Sequence, residues 1–125
     1  MSQSDVRATE LLSSGKAWNG QTLEHFPQGK PLFTVMKMTI QPHTTLPWHT
    51  HPVPNTAYII SGSLTIEDKE SGKKNTFHAG EAFNESVDLA HCGYTTDEEV
   101  EVIIFYAGVE GEELSIPLPG EESEY

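Results

Sequence analysis

The chain has one cysteine, few cations and no long apolar run. Cys92 alone cannot form an intrachain disulfide. A lone thiol fits a reducing compartment, where it serves as a small buried apolar side chain. Seven Lys and Arg stand against nineteen Asp and Glu, a net charge of −12. A field of that sign repels phosphate backbones and anionic lipid, and only one basic pair, Lys73-Lys74, offsets it locally. No segment approaches the ~20 apolar residues of a membrane span. The longest candidate, Val102 to Val109, is the size of a strand. The polar opening from Met1 to Glu10 does not resemble a signal peptide. These shortages together exclude nucleic-acid and membrane partners and leave a soluble cytoplasmic protein as the simplest reading. The acids at Asp97-Glu98-Glu99 and from Glu110 to Glu124 read as a solvated face that aids solubility.

Helical periodicity is missing from the middle of the chain, and short β-type segments take its place. Leu32 to Gln41 alternates, with Thr34, Met36, Met38 and Ile40 on one face and Phe33, Val35, Lys37 and Thr39 on the other. Thr56–Ile60, Ser63–Asp68, Asn75–His78, Glu81–Glu85, His91–Thr96 and Val100–Ala107 read as further strands. Seven or more such strands in 125 residues predict an all-β sandwich or small barrel in a single domain, residues 1–125. Its core spans about 32–108, after an N-terminal arm (1–31) and before an acidic C-terminal tail (109–125). Ala8 to Ser13 is either one helical turn or an edge strand. Ser115 to Leu118 is a short edge strand or an arm, and Glu121 to Tyr125 is expected to be a mobile end.

The chemistry concentrates at Trp48-His49-Thr50-His51. In an extended segment, residues two apart share a face and lie about 6.6 Å apart, close enough for two imidazoles to lean onto one ion. A helix would turn them away from each other. Of the other histidines, His25 and His78 fall in surface loops and His43 precedes the pair. His91 opens a strand-like segment and is the candidate third ligand. If residues 86–90 form a symmetric hairpin loop, Glu85 lies opposite His91. The same construction over Pro52-Val53-Pro54 sets Asn55 opposite His51. Tyr94 and Cys92 alternate away from the His91 face.

Residues 43–62 and 80–95 resemble the two characteristic motifs of the cupin family. His49, His51 and Gly62 match the first motif, and Tyr58-Ile59-Ile60-Ser61-Gly62-Ser63-Leu64 is similar to its hydrophobic run. Gly80 and His91 match the second at the family's separation. The departures are informative. The first motif's glutamate falls on Asn55 and its opening glycine on His43. The second motif's proline, glycine and asparagine fall on Ser86, Asp88 and Thr95.

The resemblance implies a double-stranded β-helix, a jelly-roll-like small barrel, often found as a homodimer. It also implies one divalent transition metal (Fe, Mn, Zn or Ni) at His49, His51 and His91. Replacing a carboxylate by the Asn55 amide leaves more of the ion's charge uncompensated. Glu85 is the carboxylate placed to compensate, as a fourth ligand or a general base, and the Asn55 amide oxygen is a weaker candidate for the fourth ligand. By parity the pocket is lined by Met36, Met38, Ile40 and Phe83. Either Ile104 and Tyr106 or Ile103 and Phe105 face inward with them. The implied function is a metal-dependent enzyme of dioxygenase, isomerase, decarboxylase or lyase type, acting on a small organic molecule. The alternative is a non-catalytic small-molecule binding or sensing module.

Overall fold

The structure, a computed structural model, describes residues 5–125; the first four residues of the N-terminal arm lie outside it. Nine strands follow in chain order: β1 (Pro31–Ile40), β2 (His49–Thr50), β3 (Asn55–Ser61), β4 (Ser63–Asp68), β5 (Lys74–His78), β6 (Ala82–Asn84), β7 (His91–Tyr94), β8 (Val100–Val109) and β9 (Ile116–Pro117). All pairings are antiparallel, in two sheets of order β1-β8-β3-β6 and β5-β4-β7-β2-β9. No helix occurs among the described residues. This is the jelly-roll arrangement of a double-stranded β-helix.

The alternation read in the sequence becomes inside and outside. In β1, Ile40 is buried and Thr34, Met36 and Met38 are half-buried, while Phe33 and Val35 face solvent. In β8, Val100, Val102, Ile104 and Tyr106 point inward, which decides the parity the sequence left open. They pack against Val53, Ala57, Ile59, Leu64, Ile66 and Phe83 between the sheets. Burying such side chains contributes roughly 1.5–3 kcal/mol each. The rings of Phe77 and Phe83 stack with centroids 4.0 Å apart. Ala8 to Ser13 forms neither the helical turn nor the strand expected of it. Among the described residues of the arm the one bridge is at Lys16 and Thr22, where the chain folds back so that Trp18 packs on the core.

Tight corners carry the chain between sheets. Between β3 and β4 the register of β3 on β8 shifts at Ile59 and Ser61, and Gly62 takes φ +80°. Two non-glycine residues also sit in the left-handed region, His43 at φ 55° and Asp88 at φ 60°. Both stand where the cupin motifs have glycine, so the turns survive while the side chains bear the strain, about 1–2 kcal/mol in such a conformation. Asp88→Gly removes that strain against a smaller loss of chain entropy. Its thermal midpoint should rise by a few degrees, and a fall in a calorimetric scan would refute this account of the turn.

Candidate metal centre

His49 lies in β2 directly opposite His91 in β7. His51 follows two residues after His49, as the extended spacing requires. The three side chains are buried, with relative exposures of 3%, 1% and 1%. Their ring centroids are 4.5 to 4.9 Å apart, and one nitrogen from each lies within 4.8 Å of the others.

Each ring is held by its Nδ1. Nδ1–H of His49 donates to Pro47 O (2.7 Å), that of His51 to Leu114 O (2.8 Å) and that of His91 to Leu89 O (3.0 Å). Anchoring each ring through Nδ1 turns its Nε2 toward the interior, the orientation metal-binding histidines need. All three Nε2 atoms face the interior acids. Glu85 Oε2 is 3.0 Å from Nε2 of His51, and its Oε1 is 3.4 Å from Nε2 of His91. These contacts are close but poorly aligned, for Nε2 of His51 and of His91 make no hydrogen bond. Asn55 Oδ1 is likewise buried without a partner, its Nδ2 being turned to Val53 O. Buried polar atoms without a well-aligned partner are costly unless something satisfies them. The three histidines and Glu85 therefore fit a cation, and the three histidines can hold a metal ion.

Glu85 reaches the site by a route the hairpin construction did not foresee. β6 pairs with β3, whereas β7 pairs with β4 and β2, so residues 86–90 cross from one sheet to the other. Residues 52–54 cross likewise between β2 and β3. Glu85 is therefore not the cross-strand neighbour of His91, nor Asn55 of His51. Asn55 pairs with Tyr106, and the Glu85 amide donates to Asn55 O at 3.0 Å. Inward parity, and not register, brings the carboxylate across the barrel.

Burial and neighbouring charge set the protonation. Burial, then the nearby His91, push His49 down to about 4. Burial also opposes a charge on His51, but the Glu85 carboxylate outweighs it and pushes His51 up to about 9. Burial would raise Glu85; His51 outweighs it and holds the carboxyl well below its usual range. The metal-free site is thus an imidazolium–carboxylate pair beside a neutral imidazole, and a metal must displace the His51 proton to bind.

The end of the chain, expected to be mobile, folds into this site. The Glu124 side chain is 4% exposed, with Oε1 3.4 Å from Nε2 of His49 and 2.7 Å from the Ser115 hydroxyl that donates to it. Burial, then Glu85, raise its carboxyl above the usual range. The Tyr125 and Tyr106 hydroxyls meet at 2.9 Å. Nothing local separates Glu124 from the acids around it in sequence. Of the residues expected to line the pocket, Met38, Ile40 and Phe83 border the interior cavity. Met36 packs on the core beside it, and Tyr106 points to the tail. His25 and His78 are exposed, as expected, and the Cys92 thiol is buried.

The Cupin domain family profile matches residues 36–106. The chain is a cupin. Solved structures agree on the fold. The DMSP lyase DddQ from Ruegeria pomeroyi is 16% identical, with TM-score 0.63 over 72% of this cupin and 45% of the lyase. The polyketide cyclase RemF from Streptomyces resistomycificus is 16% identical, with TM-score 0.62 over 78% and 67%. Oxalate decarboxylase from Bacillus subtilis, a protein with Mn(II) centres, is 19% identical, with TM-score 0.58 over 71% and 24%. This cupin spans less than half the length of the lyase and about a quarter of the decarboxylase. No curated protein sequence matches it. No helix among the described residues is long and apolar enough to cross a membrane.

Proposed function

We propose that this cupin is a metal-dependent enzyme acting on a small organic molecule. In this reading one divalent transition metal is held by His49, His51, His91 and Glu85. One observation carries it: three imidazoles anchored by Nδ1 converge beside a buried carboxylate, and two of their Nε2 atoms have no hydrogen-bond partner. Donor atoms about 2.1 Å from a shared ion and at right angles lie about 3.0 Å apart, the separation of Glu85 Oε2 from His51 Nε2. That spacing is compatible with Glu85 as fourth ligand, and the same contact would suit a base beside the ion. When bound, the ion would polarise a substrate oxygen or lower the pKa of a water. Iron, manganese, zinc and nickel all suit the donor set, and the manganese of the decarboxylase relative makes it the first to try.

Metal analysis of protein purified without an affinity tag tests the centre. About one ion per chain is expected, with His91→Ala losing at least nine-tenths of it; full retention in that variant removes the assignment. The second reading, a binding or sensing cupin, draws on the tightness of the interior, whose cavity is only about 20 Å³. Turnover of phenolic, diketone or small carboxylate substrates by metal-loaded protein separates the two.

A homodimer is proposed as well. β1 is a ten-residue edge strand, and Phe33, Val35 and Phe105 lie exposed together on the outer face of its sheet. A long apolar edge of that kind is covered in most proteins. Light scattering at tens of micromolar should give twice the chain mass, and a monomeric mass would end the idea.

A further inference from the structure

The C-terminal segment has a part held in a strand ladder and a part held mainly by side chains. β9 pairs with β2 at His49 and Thr50, and the Leu118 amide donates to Trp48 O (3.0 Å). The chain then reverses at Pro119-Gly120, with Gly120 at φ +87°. Residues 121–125 make no strand ladder. They are fastened by one turn hydrogen bond, from the Glu121 amide to Leu118 O (2.9 Å), and by three side chains: Glu121 Oε1 accepts from the Trp48 amide (3.1 Å), Glu124 reaches Ser115 and His49, and Tyr125 meets Tyr106. Glu122 and Ser123 between them are exposed.

A buried carboxylate is expensive to keep unless its surroundings are built for one. Glu124 has one donor, the Ser115 hydroxyl, and lies beside the buried, neutral His49 imidazole of the proposed metal centre, while burial and Glu85 oppose its charge, so little holds it there. Glu124 also borders the interior cavity, whose other walls include Met38, Ile40 and Phe83. At about 20 Å³ that cavity holds about one water. With the segment down, the space beside the histidines is too small for an organic molecule.

We propose that Glu124 is a tethered stand-in for the carboxylate of the protein's own ligand, and that residues 121–125 are a strap that swings out about Pro119-Gly120 to admit it. The ligand is a small carboxylate with a short apolar remainder. Its carboxylate takes the Ser115 hydroxyl and the Tyr106 hydroxyl freed from Tyr125, and its apolar part lies against Met38, Ile40 and Phe83. The inference rests on the proposed metal centre, since the ion's open side is where the carboxylate would bind.

Two measurements test it. In metal-free protein, hydrogen exchange of the Trp48 amide reads the strap. Glu124→Ala should speed that exchange at least tenfold, and an unchanged rate overturns the strap. In cobalt-loaded protein, the visible cobalt band reads propionate binding. A chain ending at Gly120 should bind propionate at least tenfold tighter than the full chain, and 1-propanol should shift neither. Glu124→Gln, nearly the same shape without the charge, should show a several-fold gain and covers the case of a truncated chain that does not fold. Equal propionate affinity in all three overturns the stand-in. Cobalt bound no better by the full chain than by His91→Ala would overturn the metal centre and the carboxylate exchange with it, while Trp48 exchange decides the strap by itself.

Discussion

Changing Glu85 to glutamine makes the His51 imidazole of the metal-free protein titrate below pH 6.5 instead of near 9. The carboxylate is what lifts His51 against burial, and glutamine keeps the volume while removing the charge. Histidine NMR shifts followed against pH would show the change directly; a titration still near 9 would mean that some other group holds the proton. Stability follows with a definite sign. His51 has a raised pKa, so its contribution is complete below 6.5 and is lost as pH rises through about 9. Glu85 has a depressed pKa, so its contribution is present above 4.5 and is lost as pH falls through the lowered value. The pair therefore stabilises the metal-free fold most between those limits, and Glu85→Gln should cost on the order of 2–3 kcal/mol there. The difference from the parent should fade toward pH 9 and above. Metal affinity should fall as well, by about 10–100-fold or more, since loss of even an outer partner of a metal ligand has that effect.

Gly62→Ala should be the most damaging of the glycine-to-alanine changes in this chain. At φ +80° an alanine is strained by about 1–2 kcal/mol. Its Cβ would also run into the Glu99 carbonyl oxygen and lie 3.0 Å from Val100 Cγ2 and 3.2 Å from Val100 Cα. Those atoms belong to the backbone and to a fully buried side chain at the start of β8, so little can give way. A total of about 3 kcal/mol follows, roughly 10 °C in thermal midpoint for a chain of this size. Gly72→Ala is the matched comparison: its φ is +74°, but nothing lies within 4 Å of the added Cβ. It should cost only the backbone strain. Equal losses at the two positions would show that the close approach at Gly62 contributes nothing.

The two glycines also show how far a residue pattern reaches. Gly62 was visible as part of a motif, but the reason for it, the Glu99 carbonyl, belongs to a strand start 37 positions on. The inward faces of β1 and β4 were legible because a strand has a period of two and one face must be apolar. The His49-His51 pair was legible for the same reason, and His91 through its distance from Gly80. Glu85 was legible as a candidate, but its geometry was not. Symmetric hairpins were assumed where the chain changes sheets, and local sequence carries no mark of such a crossing.

Alternation and spacing thus determined most of the strands, the buried faces of β1 and β4 and the identity of the three histidines, because each depends on neighbours within a few residues or on a motif of set length. Only the tertiary structure decided which sheet each strand joins, that Glu85 meets His51 and His91 across the barrel, and that Glu124 is buried beside His49. An acid in an acidic tail looks like every other acid until the chain folds back. What distinguishes Glu124 is the removal of water around it, and that is a property of the closed barrel.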